Sequence, residues 1–142
     1  MDACRELFRE YERSLGVSLC FQDFDREVMG LPGDYVPPRG GLWLARGADG
    51  IAGCIALRSL DRDTAEMKRL YVKPSHRGQG LGLALARHVI ETARAMGYAT
   101  LKLDTLPTMV EAQRMYERLG FVDAAPYNEN PVEGVRFLAL AL

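Results

Sequence analysis

The sequence predicts an α/β domain on a mixed, mostly antiparallel sheet with helices on its flanks. Two observations carry this. Residues 42–72 hold three strand-like runs joined by links too short for a crossover, which makes an antiparallel meander. The last of those strands leads through a glycine turn into a helical run, and another strand follows, which makes a parallel βαβ unit.

Taken in order, residues 2–15 form an amphipathic helix. Leu7, Phe8, Tyr11 and Leu15 share one face, Arg5, Arg9, Glu12 and Arg13 lie elsewhere, and Gly16 ends it. Val17 to Phe21 reads as a short strand. Phe24, Val28 and Leu31 mark a second short helix, stopped by Pro32-Gly33, and a loop runs to Gly41. Leu42 to Arg46 and Ile51 to Arg58 are strands, with Ala48-Asp49-Gly50 as the hairpin signal between them. Thr64 to Val72 is the third strand.

Helix Leu81 to Met96 carries its core stripe on Leu81, Leu85, Val89 and Met96, and Gly97 suits its C-terminal end. Thr100 to Asp104 alternates, with Leu101 and Leu103 on one face. Thr108-Met109-Val110-Glu111 reads as a capping box opening a fourth helix. Its apolar stripe is Ala112, Met115, Tyr116 and Leu119, and Gly120 ends it. Phe121 to Ala125 and Val135 to Leu142 are the final strands, joined by the loop 126–134.

The chain has 142 residues, which predicts a single domain spanning 1–142 with its own core. It is 48% hydrophobic and 26% charged, the balance of a soluble globular protein. A formal net charge of −1 gives no electrostatic case for nucleic acid or an anionic membrane. No apolar run has transmembrane length and no signal peptide opens the chain, so a cytoplasmic protein is expected. Cys4, Cys20 and Cys54 are odd in number and widely spaced, which fits neither a disulfide framework nor a zinc site. No metal is expected, since neither His76 nor His88 has a carboxylate or Cys partner at ligand spacing.

The chemistry concentrates in residues 66–82, Glu-Met-Lys-Arg-Leu-Tyr-Val-Lys-Pro-Ser-His-Arg-Gly-Gln-Gly-Leu-Gly. Pro74 has no N–H and stops the ladder after Val72. Gly78, Gly80 and Gly82 let the backbone turn sharply and approach a ligand. The helix then begins at Leu81, where unpaired N–H groups and a partial positive charge favour a phosphate, and Arg77 adds a full charge. This is a pyrophosphate cradle. It is not a Walker loop, because Gly82-Leu83-Ala84 replaces Gly-Lys-Ser/Thr. It is not a Rossmann loop, because Leu83 stands where the third glycine belongs.

The motif Arg77-x-x-Gly80-x-Gly82, preceded by a strand of pattern Leu-x-Val-x-Pro, resembles the acyl-CoA-binding signature of the GNAT superfamily of N-acyltransferases. The element order from residue 42 onward also matches that fold, roughly 100 residues in all. The resemblance implies a central pair of parallel strands, 64–72 and 100–104, that splay apart to admit the pantetheine arm of acetyl-CoA. It implies cofactor contacts from the backbone of Leu70, Tyr71 and Val72 and from Arg77, Gly78, Gln79, Gly80, Leu81 and Gly82. A backbone N–H on the first strand would polarise the thioester carbonyl, a contact worth about 3 kcal/mol in the transition state.

Two residues are expected to do proton chemistry. Tyr116 lies in Ala112-x-x-x-Tyr116-x-x-x-Gly120-Phe121, which resembles the helix end where the family places a proton donor for the departing thiolate. Glu66 matches a position where some members place a base for the amine. As a residue pattern alone it reads equally as a solvated strand-end carboxylate. Alternation puts Glu66 on the face of Leu70 and Val72, and a bulge between them would reverse that. Met109 stands where the family often has an Asn that contacts the cofactor.

The expected reaction is direct acetyl transfer from acetyl-CoA to a primary amine of a small molecule in a ternary complex. A protein or peptide N-acetyltransferase and a non-catalytic acyl-CoA-binding sensor are the alternatives. The family often forms homodimers, so that assembly is a further expectation. The acceptor pocket is expected among the N-terminal helices and the loop 126–134. Phe21, Gln22, Phe24, Tyr35, Tyr127 and Asn128 are candidate lining residues, and Asp23, Asp25 and Glu129 could draw in an ammonium.

Overall fold

The fold is that of a computed structural model, which describes residues 1–16 and 23–142. Two helices come first, α1 (Asp2–Leu15) and α2 (Phe24–Met29). Strands β1 (Gly41–Gly47), β2 (Gly50–Ser59) and β3 (Thr64–Val72) follow as the expected meander. A short 3₁₀ turn at Pro74–His76 leads into α3 (Leu81–Ala95). Then come β4 (Thr100–Thr105), α4 (Val110–Arg118), β5 (Val122–Asp123) and β6 (Arg136–Ala141). The expected strand at Val17–Phe21, together with Cys20, Phe21 and Gln22, lies outside the described residues.

All six strands form one sheet in the order β1-β2-β3-β4-β6-β5. Every neighbouring pair is antiparallel except β3 and β4, which run parallel. The parallel ladder is brief, with Thr64, Ala65 and Glu66 pairing with Thr100, Leu101 and Lys102. Beyond that point the two strands are no longer paired, as the family resemblance implied.

Each face of the sheet carries its own core. On one face Ile55, Leu57, Ala65 and Met67 pack with Leu85, Val89 and Ala93 of α3 and with Tyr116 of α4. On the other, Cys54, Ala56 and Tyr71 pack with Leu7 and Phe8 of α1 and with Phe24 and Val28 of α2. Burial pushes the Cys54 thiol up to about 12, as suits a small core residue and not a nucleophile. Among the described residues no helix is long and apolar enough to cross a membrane.

Two expected elements differ in the structure. Helix α4 opens at Val110, with Met109 as its N-cap and no side-chain cap. Thr108 therefore lies outside the capping position, and no capping box forms. The Gln113 Nε2 donates instead to the Leu106 carbonyl at 2.8 Å and holds the approach turn. The run Phe121–Ala125 contributes only Val122–Asp123 as strand. Phe121 is still tied to the helix end, its N–H donating to the Tyr116 carbonyl at 3.0 Å.

Gly53 sits where β2 passes β3 closely. A Cβ there would lie 2.6 Å from the Tyr71 carbonyl oxygen, a backbone atom that cannot rotate away. Gly53→Ala is expected to cost about 1–3 kcal/mol by overpacking, read as a lower melting temperature.

Candidate active site

The site is built on a defect in β3. Cys54 pairs with Tyr71 and Ala56 pairs with Lys68, so Arg69 and Leu70 stand opposite Ile55 alone. That extra residue is a β-bulge, and Arg69 takes it up at φ 61, the left-handed region that side chains disfavour. What holds Arg69 there is a buried, two-pronged ion pair with α2. Its Nε donates to Glu27 Oε2 at 2.8 Å and its Nη2 to Oε1 at 2.9 Å. The guanidinium also lies 5.0 Å from the centre of the Phe24 ring.

The bulge changes which side chains face which way. Leu70 and Val72 pack on the α3 face with Ala65 and Met67, although simple alternation would put the two pairs on opposite faces. Glu66 is therefore not on the face of Leu70 and Val72. The bulge at Arg69–Leu70 reverses the parity, and Glu66 lies on the α1/α2 side. Glu66 is fully buried. The Arg58 Nε donates to its Oε1 at 2.8 Å and the Tyr127 hydroxyl to its Oε2 at 2.6 Å, with the Lys68 ammonium 4.0 Å away.

A groove of about 1030 Å³ runs along the parted edge of β3 to the glycine turn. Leu70, Tyr71, Val72, Arg77, Gly78, Gly80, Leu81 and Gly82 all line it, which brings together the residues expected to hold the cofactor. Gln79 is exposed in the turn and is not part of the lining. Gly78 and Gly80 sit at φ 80 and φ 79, so the turn requires them. A Cβ at either would meet open space; the demand comes from the backbone angle. Leu81, Gly82 and Leu83 of the first turn of α3, where backbone N–H groups have no partner within the helix, line this groove, and the groove is large enough for an extended nucleotide-bearing ligand. The Arg77 Nε donates to the Val72 carbonyl at 3.0 Å, so this side chain braces the strand end against the turn as well as adding charge.

A second, narrow cavity of about 20 Å³ lies between the parted strands. Met67 and Leu103 reach it from the α3 face, and Lys68 and Asp104 from the α1/α2 face. The cavity is thus bounded by residues of both faces. Tyr116 lines it from α4 and Tyr11 from α1. Tyr11, Leu70 and Met109 line both this cavity and the large groove. The Tyr116 ring is held edge-on to Phe121 at 5.6 Å, and its hydroxyl makes no hydrogen bond to another described residue. Burial pushes the Tyr116 hydroxyl well above the ordinary tyrosine range, with Tyr11 and Asp104 adding to the rise. It is therefore protonated at any physiological pH. Burial lowers the Lys68 ammonium to about 8, and the neighbouring Arg69 charge adds to the effect.

Some expected contacts are elsewhere. Phe24 and Tyr35 are core residues with no exposed face. Asp23, Asp25 and Glu129 are exposed, and Asp25 pairs with Arg9. Tyr127 and Asn128 line neither opening; the Tyr127 hydroxyl donates to Glu66 and the Asn128 amide to Asp104. Tyr11, Lys68 and Asp104 line these openings and were not among the residues expected from the sequence. Tyr11 looks like any stripe residue of α1. Lys68 and Asp104 become neighbours only through the register of two strands more than 30 residues apart in sequence.

Comparison with known proteins agrees with this geometry. The model of the acetyltransferase (GNAT) family matches residues 1–121. An uncharacterized N-acetyltransferase of Schizosaccharomyces pombe is 37% identical over 144 residues, an alignment covering 100% of this chain and 88% of the relative. A GNAT-family acetyltransferase from Staphylococcus aureus Mu50 superposes with a TM-score of 0.82 at 22% identity, covering 98% of this chain and 93% of that one. A GNAT-family acetyltransferase from Elizabethkingia anophelis, solved with acetyl-CoA bound, gives a TM-score of 0.62 at 26% identity over 72% of this chain and 76% of that one. The chain belongs to the acetyltransferase (GNAT) family and is an acyl-CoA-dependent N-acetyltransferase.

Proposed function

We propose that the protein transfers the acetyl group of acetyl-CoA to a primary amine of a small molecule, by direct attack in a ternary complex. The observation that carries this reading is the join between the two openings. The glycine turn stands at one end of the groove, and Tyr116 lines the small cavity that shares Tyr11, Leu70 and Met109 with it. The pyrophosphate would sit on the N–H groups of Gly78 to Gly82 at the start of α3. The pantetheine arm would lie along Leu70 to Val72, whose ladder to β4 has ended and whose backbone is open to an added strand. The acceptor would approach from the α1/α2 face and meet the thioester beside the small cavity.

The chemistry then balances. The amine nitrogen attacks the carbonyl carbon and a C–N bond forms. The C–S bond breaks, and the thiolate takes the hydroxyl proton of Tyr116, which is recharged from solvent. The ammonium proton leaves through a water held by Glu66. A carboxylate offers about four lone-pair directions, and the Arg58 and Tyr127 donors each take one of them. Free amine, acetyl-CoA and enzyme thus give amide, CoA thiol and unchanged enzyme.

Glu66→Gln separates a base from a structural carboxylate. A general base contributes at least about 10²-fold. As a base, Glu66 is needed less as rising pH deprotonates more of the free amine, so the defect of the variant is expected to shrink between pH 7 and 10. A defect in kcat/KM that is constant with pH would assign Glu66 a purely structural role. The reading as a whole is tested by calorimetric binding of acetyl-CoA and by mass detection of acetylated amines; absence of acetyl-CoA binding would overturn it.

A further inference from the structure

We propose that the enzyme selects its acyl donor by the phosphate on the 3′ oxygen of the ribose, which Arg87 of α3 and Arg114 and Arg118 of α4 hold from the two helices that border the groove. This rests on the acyl-transfer reading above, and it assigns the charged group of the donor that the glycine turn leaves unmatched.

The charge of the groove supports the assignment. Among the described residues that line it, Glu111 is the one carboxylate, set against Arg77, Arg87, Arg114 and Arg118. The groove therefore carries a positive surplus in a chain whose formal net charge is −1. Arg77 belongs to the glycine turn, where its Nε donates to the Val72 carbonyl. Arg87, Arg114 and Arg118 are exposed and make no hydrogen bond or ion pair with another described residue.

The acids that could neutralise them are engaged elsewhere. Glu91 lies four residues after Arg87, within reach for a pair along one helix face, but it is bound by Arg94. Glu117 lies three residues after Arg114, but Arg136 of β6 draws it away at 2.8 Å. Glu111 shares the groove and pairs with no described residue. A lone unpaired arginine on a surface is ordinary. Three that border one groove from two separate helices form a site for an anion. The dipole of α4 accounts for Arg118 in its last turn and leaves Arg87 and Arg114 unexplained.

The placement suits the donor. Arg87 stands one turn beyond Leu83 on the groove face of α3, about 6 Å further along the helix than the turn that would take the pyrophosphate. Arg114 and Arg118 share a face of α4 as residues four apart. Tyr116 lies between them in sequence and faces the core instead, so the arginines stay clear of the reacting atoms. A ribose phosphate is a monoester with a charge of about −1.5 to −2 and three acceptor oxygens, which matches three guanidinium groups.

The experiment measures calorimetric binding of acetyl-CoA and of acetyl-3′-dephospho-CoA, which lacks only that phosphate, to the full chain. The dephospho donor is expected to bind about 10-fold more weakly or worse, since three solvent-exposed charge pairs each contribute modestly. The triple variant Arg87→Gln, Arg114→Gln and Arg118→Gln is expected to weaken acetyl-CoA by about the same factor and to leave the dephospho donor within about 2-fold. The three Arg→Lys changes together should keep part of the preference, because the charge remains while the two-pronged geometry is lost. None of the three arginines is buried, so the melting temperature should hold. If the parent protein binds both donors equally, or the triple variant weakens both by the same factor, the phosphate site is overturned. If neither donor binds the parent protein, the acyl-transfer reading itself fails.

Discussion

Tyr116→Phe is expected to lower kcat by about 10²-fold or more, the usual contribution of a positioned proton donor. Acetyl-CoA affinity should hold, because the groove that would carry the phosphates and pantetheine is lined by other residues. The substitution removes one oxygen and keeps the ring that packs edge-on against Phe121. The hydroxyl makes no hydrogen bond to a described residue, so the fold should lose little. Single-turnover kinetics gives the chemical rate, and calorimetry gives the donor affinity. An unchanged kcat would remove Tyr116 from the mechanism. The burial that raises its pKa has a second consequence. Tyr116 stays protonated beyond the ordinary tyrosine range, so kcat should show no basic limb near pH 10 that the variant abolishes.

Glu27→Ala is expected to destabilise the protein by about 3–5 kcal/mol, the cost of leaving a buried charge without its partner. The Arg69 side chain is only 3% exposed and cannot reach water in place of Glu27. For a chain of this length the loss corresponds to a fall in melting temperature on the order of 10–15 °C. Glu27→Ala combined with Arg69→Met should recover much of it, because no unpaired charge is then buried. A loss below about 1 kcal/mol would mean that the ion pair does not hold the bulge. The pair also sets an acid limit. Burial opposes the Glu27 charge, yet the hydrogen bond and charge of Arg69 keep its carboxyl below the ordinary glutamate range. Its stabilisation is complete above that range and is lost as the pH falls through the lowered value.

The two effects meet at one place. Arg69 is the residue whose left-handed backbone creates the bulge, and the bulge turns Leu70 and Val72 toward the α3 face. Glu27→Ala at a temperature where the fold survives should therefore also reduce kcat/KM for acetyl-CoA.

Much of this was legible in the chain. The meander, the glycine turn and the helix after it depend on local chemistry: alternation, the missing N–H of Pro74 and the backbone freedom of Gly78 and Gly80. Such features need no partner from elsewhere in the sequence. The residues lining the groove, Arg77 and the glycines among them, were readable for that reason. Tyr116 was readable because the helix-end motif surrounds it within ten residues.

Tertiary structure decided the rest. Nothing local to β3 says that Arg69 will adopt a positive φ, because Glu27, 42 residues away, holds it there. That one bulge determines the face on which Glu66 falls. Likewise Tyr11 joins the site only because α1 packs over the opening. Lys68 and Asp104 face each other only because the register of β3 and β4 aligns them where the ladder ends. The sequence by itself determined the meander, the βαβ unit, the glycine turn and the family. The tertiary structure decided the floor of the opening, because that floor is made by contacts between segments far apart in the chain.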